Sequence, residues 1–217
     1  MSEQRYASFM NMTRIPYLII YKLALDTSDY AEKLWKLLKY TSTDALSKPN
    51  LTFEEKMAIV WSPDRENSTQ ENLFNVFLKP LVPSALNTDE SQTQLKIFRY
   101  KTTARSQYES ILLYEFDVIV NEVACMVYNE NYELIEKTDL LEALLIQVLN
   151  GIDLGVGINY LRFDRMSGGM CESLININNS KSLYGRSFLL AIKYIDNSLG
   201  GGCNGWYWTT WITILPN

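Results

Sequence analysis

Histidine is missing altogether from this chain of 217 residues. It is the usual proton shuttle and metal ligand near neutral pH, so Ser-His-Asp and Cys-His nucleophile systems, H-E-x-x-H zinc sites and histidine-ligated iron are all excluded. Carboxylate, lysine and magnesium chemistry survive that filter. Cysteine is scarce and scattered. Cys125, Cys171 and Cys203 are odd in number and form no C-x-x-C pair, which points to reduced core or loop thiols and away from disulfides or a zinc site. No apolar run approaches the ~18 residues that a membrane span needs. The opening MSEQRYASFMNM has no basic region leading into an apolar stretch, so the expectation is a soluble chain made in the cytosol, without a membrane partner. G-x-x-x-x-G-K-[ST] is absent as well. Gly151, Gly155 and Gly157 precede a strand pattern, so a helix cap and a turn explain them better than a phosphate loop.

What is present is an apolar fraction of 47% with a net charge of −5, acids and bases interspersed. That composition suits one sizeable core and argues against a general nucleic-acid binder, which needs a basic surface. The chain is organised around residues 138–150, TDLLEALLIQVLN. Thr138 is placed to cap the helix N-terminus and Gly151 to end it in a left-handed conformation. Leu140, Leu141, Ala143, Leu144, Leu145, Ile146, Val148 and Leu149 cover most of its circumference, leaving a polar seam of Asp139, Glu142 and Gln147. Such a helix is buried on most sides.

Three short helical patterns come first. Residues 13–25 tolerate Pro16 only in the first turn, residues 28–40 start on Ser28 as N-cap, and Thr52 with Glu55 forms a capping box for the third. The reading is a helical N-terminal segment over 1–61, a polar linker over 62–71 and an α+β domain over 72–217. Strands are expected at 72–79, 93–101, 108–120, 157–166, 173–178 and 184–196. The third of these runs, residues 108–120, puts Tyr114, Phe116, Val118 and Val120 on one face. At ~3.3 Å per residue this strand spans about 40 Å, roughly twice the usual length. It should project past the core as a long hairpin with its polar tip at 102–107. The element order β-β-α-β-β, with extra edge strands, predicts an α+β fold: a mostly antiparallel sheet carrying one buried helix, preceded by the helical segment. After Gly200, Gly201, Gly202 and Gly205, residues 206–215 read as an apolar, Trp-rich terminal strand or arm that needs a cover.

Three sets of residues are candidates for function. Lys96, Arg99, Lys101 and Arg105 form a basic stretch without an intervening acid. At the hairpin tip they would meet phosphate or an acidic neighbouring subunit, while charges that keep an edge strand from aggregating explain them equally well. Glu115 and Asp117 share a face and, with Asp164 between Arg162 and Arg165, could form a metal-dependent catalytic set. Alternating charges on the wet face of a sheet are the commoner arrangement. Trp206, Trp208 and Trp211 could stack on sugars, but the first two share a strand face and the third does not, which fits core packing or a subunit contact better.

The hairpin with a long second strand, the helix TDLLEALLIQVLNG, the strand INYLRFDRM with its arginine-bearing turn, and the strand YGRSFLLAIKYID together resemble the tail-terminator and tail-completion family of tailed bacteriophages. The likeness covers residues 93–196 and lies in element order and strand flavour. The helical segment before residue 72 and the Gly/Trp tail after residue 197 depart from the compact family pattern. The resemblance implies a non-catalytic virion protein, without a cofactor, that is made in the host cytoplasm and forms a ring at the head–tail junction, joining portal to tail. Its partners would be further copies of itself, the portal and other neck and tail proteins, with DNA in the lumen as a further candidate. A metal-dependent enzyme using Glu115, Asp117 and Asp164, and a sugar-binding module using the C-terminal tryptophans, are the readings from other classes.

Overall fold

A computed structural model describes residues 12–62, 74–78, 93–105, 109–154, 161–163, 173–176 and 183–195. The N-terminal helices end where the sequence supplies caps. Helix α1 (Ile15–Leu25) carries Pro16 in its first turn, where the missing amide has no intrahelical partner to lose. Ser28 caps α2 (Asp29–Lys39) by accepting from the Ala31 amide at 3.3 Å. Thr52 and Glu55 complete both halves of the capping box on α3 (Phe53–Ala58).

The remaining elements are β1 (Val76–Phe77), β2 (Thr93–Ala104), β3 (Glu109–Asn121), β4 (Met126–Tyr128), β5 (Leu134–Glu136), α4 (Lys137–Leu149), β6 (Leu161–Arg162), β7 (Ser173–Asn176) and β8 (Leu183–Ile195). The fold is α+β with a mainly antiparallel sheet in the order β1-β2-β3-β8-β6, and β7 also pairs with β8. Among the described strands, β1 alone runs parallel to its neighbour. β3 is central and antiparallel to β2 and β8 along almost its whole length. β6 and β7 share the other edge of β8, opposite Ala191–Ile192 and Tyr184–Ser187 respectively. At Gly185, a Cβ would run into the Val118 carbonyl of β3, so the close approach of these strands requires glycine there. β4 and β5 form a separate two-stranded sheet between β3 and α4. The sequence reading contains no such hairpin.

Leu112, Tyr114, Phe116 and Val118 of β3 point to the helices, together with Leu95 and Ile97 of β2 and Phe188, Leu190 and Ile192 of β8. Phe116 stacks on Phe188 at 5.2 Å between ring centres. The N-terminal helices share this core: Ile19, Leu23, Leu34, Trp35 and Leu38 join Leu141, Leu145 and the sheet side chains in one apolar cluster. Polar contacts tie the layers. The Trp35 indole donates to the Leu23 carbonyl at 3.0 Å, and the Tyr114 hydroxyl donates to the Met12 carbonyl at 3.1 Å. Buried Lys56 of α3 donates to Glu32 of α2 at 2.6 Å and to the carbonyls of Ala24 and Asp26 at the end of α1. One ammonium thus pins three helices and satisfies helix-end carbonyls.

The central helix departs from expectation at its start. Thr138 does not cap it: α4 begins at Lys137, and the Thr138 hydroxyl donates to the Glu136 carboxylate. The reason is that β5 runs straight into the helix, which starts one residue before Thr138 at Lys137, whose amide donates to the Cys125 carbonyl at 2.7 Å. Gly151 takes the left-handed conformation expected of it, with φ +88°. The polar seam is also redrawn. Glu142 is buried rather than solvated, and Arg186 of β8 reaches both Asp139 and Glu142, while Ala143 is exposed.

Candidate functional site

The long hairpin changes character along its length. β2 is buried from Thr93 to Ile97, half-buried at Phe98, and exposed at every residue from Arg99 to Ala104. Successive side chains of a strand point to opposite faces, so this outer part is open on both. Pairing nonetheless continues outward, with Ala104 opposite Ser110 and Glu109 opposite Ile195. The strands beside it stay buried, β3 at Leu112–Tyr114 and β8 at Leu190–Ile192. This part of β2 is therefore an exposed basic edge laid along a packed sheet, here called the arm, and the strands pass the core only from about Thr103 and Ile111 outward.

A bulge interrupts the β2–β3 register between Arg99 and Lys101. Arg99 pairs with Tyr114 and lies on the helix side of the sheet, whereas Lys101 pairs with Leu113 and lies on the other. Spacing by two residues would have put them on one face; the extra residue, Tyr100, undoes that alternation. The bulge also leaves a large aromatic, Tyr100, exposed between two cations. Arg105 follows the last paired residue and is exposed as well. Arg99, Lys101 and Arg105 thus surround the arm with positive charge, a surface suited to carboxylates or phosphates.

Lys96 does not belong to that surface. It is 7% exposed and pairs across the strands with Asp117, because it falls on the inner half of β2. Lys96, Asp117 and Ser187 lie side by side on the sheet face away from the helices, with Glu115 two residues along from Asp117. This is not the wet face anticipated for the acids: Asp117 is 8% exposed, and its Oδ1 accepts no hydrogen bond among the described residues. The Ser187 hydroxyl donates to Glu115 at 2.9 Å. Burial raises both carboxyls above their ordinary range and lowers the Lys96 ammonium. Lys96 is the cation that faces the two acids, so the described arrangement is a buried polar row crossing three strands.

Asp164, the third acid of the metal reading, lies outside the described residues, as do Trp206, Trp208 and Trp211. Among the described residues no three acids or cysteines converge to hold a metal ion. No helix among them is long and apolar enough to cross a membrane. Neither the family models nor the curated proteins compared with this chain give a match.

The sequence reading overlooked the β4–β5 hairpin. Its loop is built on Asn129, whose side-chain oxygen accepts from the Asn131 and Glu133 amides at 2.9 Å and whose side-chain nitrogen donates to the Glu133 carboxylate at 2.7 Å. Asn129 and Asn131 between two short β-branched and aromatic runs were the available signal. Each run is only three residues long, too short for its alternation to stand out.

Proposed function

We propose that this chain is a structural, ring-forming subunit of a tailed-phage neck, a connector between portal and tail. The observation that carries the reading is the exposed basic arm: β2 keeps its pairing through Ala104 although its residues from Arg99 onward are uncovered. An exposed strand edge is a liability in a monomer and a means of attachment in an assembly. The order of the long hairpin, the central helix and the strong strand β8 supports the same reading through the resemblance stated above. Closed rings need heterologous contacts, in which one surface of a subunit meets a different surface of the next. The arm supplies one such surface.

The test is negative-stain electron microscopy of the full-length protein over a range of concentrations, beside a variant in which residues 100–107 are replaced by a two-residue turn. Closed rings of uniform diameter from the wild type, lost in the variant, are the expected result. Rings that persist after the replacement would remove the arm from the assembly.

A further inference from the structure

The arm lies at the Glu109 end of β3, and the β4–β5 hairpin follows directly from the Asn121 end. Arg99 pairs with Tyr114 and Ala104 with Ser110, so at ~3.4 Å per residue the arm lies about 25–40 Å along β3 from its Asn121 end. Their surfaces are opposite in character. Around the hairpin, Glu122, Glu130, Glu133 and Asp29 are exposed, and among the described residues Lys33 is shared by Asp29 and Glu130. Both acids raise the Lys33 ammonium above its ordinary range through their hydrogen bonds, so it is fully charged and taken up locally. The hairpin region also exposes apolar surface: Val123 is 84% and Tyr132 87% accessible, with Tyr30, Tyr128 and Leu134 about half exposed.

Tyr132 is unusual in a second way. It has φ +61°, and no other non-glycine residue among those described has a positive φ. A bulky side chain rarely adopts that conformation, which costs on the order of 1 kcal/mol or more unless the surroundings impose it. Here they do: the Tyr132 amide donates to the Asn129 carbonyl at 3.0 Å, inside the loop that the Asn129 side chain holds together. The loop thus holds a tyrosine outward on a rigid base. Tyrosine presented in this manner gives contact area at little entropic cost, and its ring face accepts a guanidinium or ammonium.

We infer that the acidic, tyrosine-bearing β4–β5 hairpin is the docking surface for the basic arm of a second copy of this chain. The inference rests on the ring reading and names the surface that the arm meets. Arg99, Lys101 and Arg105 bring positive charge to a surface on which Glu122, Glu130, Glu133 and Asp29 outnumber Lys33, and Tyr100 brings an exposed aromatic to Tyr132. Because the two surfaces sit at opposite ends of one strand, a chain cannot join its own arm to its own hairpin. It joins a neighbour at each end, which is the head-to-tail contact that closes into a ring.

A charge exchange tests it, using full-length protein and sedimentation velocity at several salt concentrations. One variant carries R99E, K101E and R105E; the other carries E122K, E130K and E133K. All six positions are exposed, so both variants are expected to keep the circular dichroism spectrum of the wild type. Each alone is expected to associate at least tenfold more weakly than the wild type, whose association weakens with added salt. Mixed in equal amounts they are expected to assemble again, since an acidic arm then meets a basic hairpin and a basic arm meets an acidic one. A hairpin variant that assembles like the wild type, or a mixture that fails to recover, overturns the docking site and leaves the ring reading standing. A wild-type chain that stays monomeric at every concentration overturns both.

Discussion

The inner and outer halves of the β2–β3 hairpin are made from the same two strands, paired without a break except for one bulge, yet they occupy different environments. In the inner half Leu95, Ile97, Phe116 and Val118 are sealed under helices α2 and α4. In the outer half β2 has no buried residue from Arg99 to Ala104. Opposite that stretch Leu112 and Tyr114 of β3 remain in the core, so the outer half of β2 pairs along a packed strand while its own side chains stand in the open. It is held by its pairing with β3, which β8 backs on the other side. Its exposure is informative for that reason, since uncovered side chains on a sheet edge add little to folding and offer much to a partner.

The sharpest break in the comparison comes from Phe116. Phe116→Ala removes the ring stacked on Phe188 at the centre of the inner half. It is expected to lower the urea-unfolding free energy by about 3–5 kcal/mol, whereas Tyr100→Ala in the outer half should stay within about 0.5 kcal/mol. Comparable losses from both would mean that the arm is part of the core after all.

The helical cover can be broken from its own side. Lys56→Met leaves the Glu32 carboxylate buried without its cation and is expected to cost about 3–5 kcal/mol. The double variant E32L/K56M should recover most of that loss, measured by the same unfolding titration. Recovery would show that the cost belongs to the stranded charge and not to the packing of α1, α2 and α3.

A smaller effect follows from pH. Lys137, where β5 turns into α4, is 1% exposed and donates to the Tyr40 carbonyl at 2.8 Å. Burial holds its ammonium down to about 8, against an ordinary 10.5. Below that value the folded chain carries a buried charge that the unfolded chain hydrates. Above it the folded chain releases the proton first, so stability rises with pH until the unfolded lysine titrates too. The rise is expected to be on the order of 2 kcal/mol between neutral pH and about pH 9.5, and Lys137→Met should flatten it. The window stops short of the tyrosine range, where Tyr114, raised by burial, adds a slope of opposite sign.

The smallest effect on stability is expected in the arm. R99E/K101E should shift the unfolding free energy by no more than about 0.5 kcal/mol while weakening assembly severalfold. That separation, read by thermal melting beside sedimentation, would set the outer half apart as a surface for attachment.

Much of this architecture was legible in the sequence, because its signals act over a few residues. The capping box at Thr52 and Glu55, the Ser28 cap, Pro16 in a first turn, the left-handed Gly151 and the extent of the long strands each depend on neighbours within a turn or along a strand. The face of β3 carrying Tyr114, Phe116 and Val118 follows from an alternation of period two. Other features depend on what lies opposite. Lys96 and Arg99 look alike in the sequence and separate in space, because one lies on a covered stretch of β2 opposite Asp117 and the other on its uncovered edge. Asp117 and Glu142 look like solvated acids but are buried in the fold, and Thr138 loses its place as a cap because β5 carries the helix start back to Lys137, whose amide pairs with the Cys125 carbonyl. The bulge at Tyr100 and the hairpin that carries Tyr132 belong to this second group. The sequence by itself determined the kinds of element, their ends and the apolar stripe of each, since local backbone chemistry and periodicity encode these. Only the tertiary structure decided which charges are buried, which strand ends stand free and which two surfaces face outward at opposite ends of β3, since burial is a property of the cover and not of the residue.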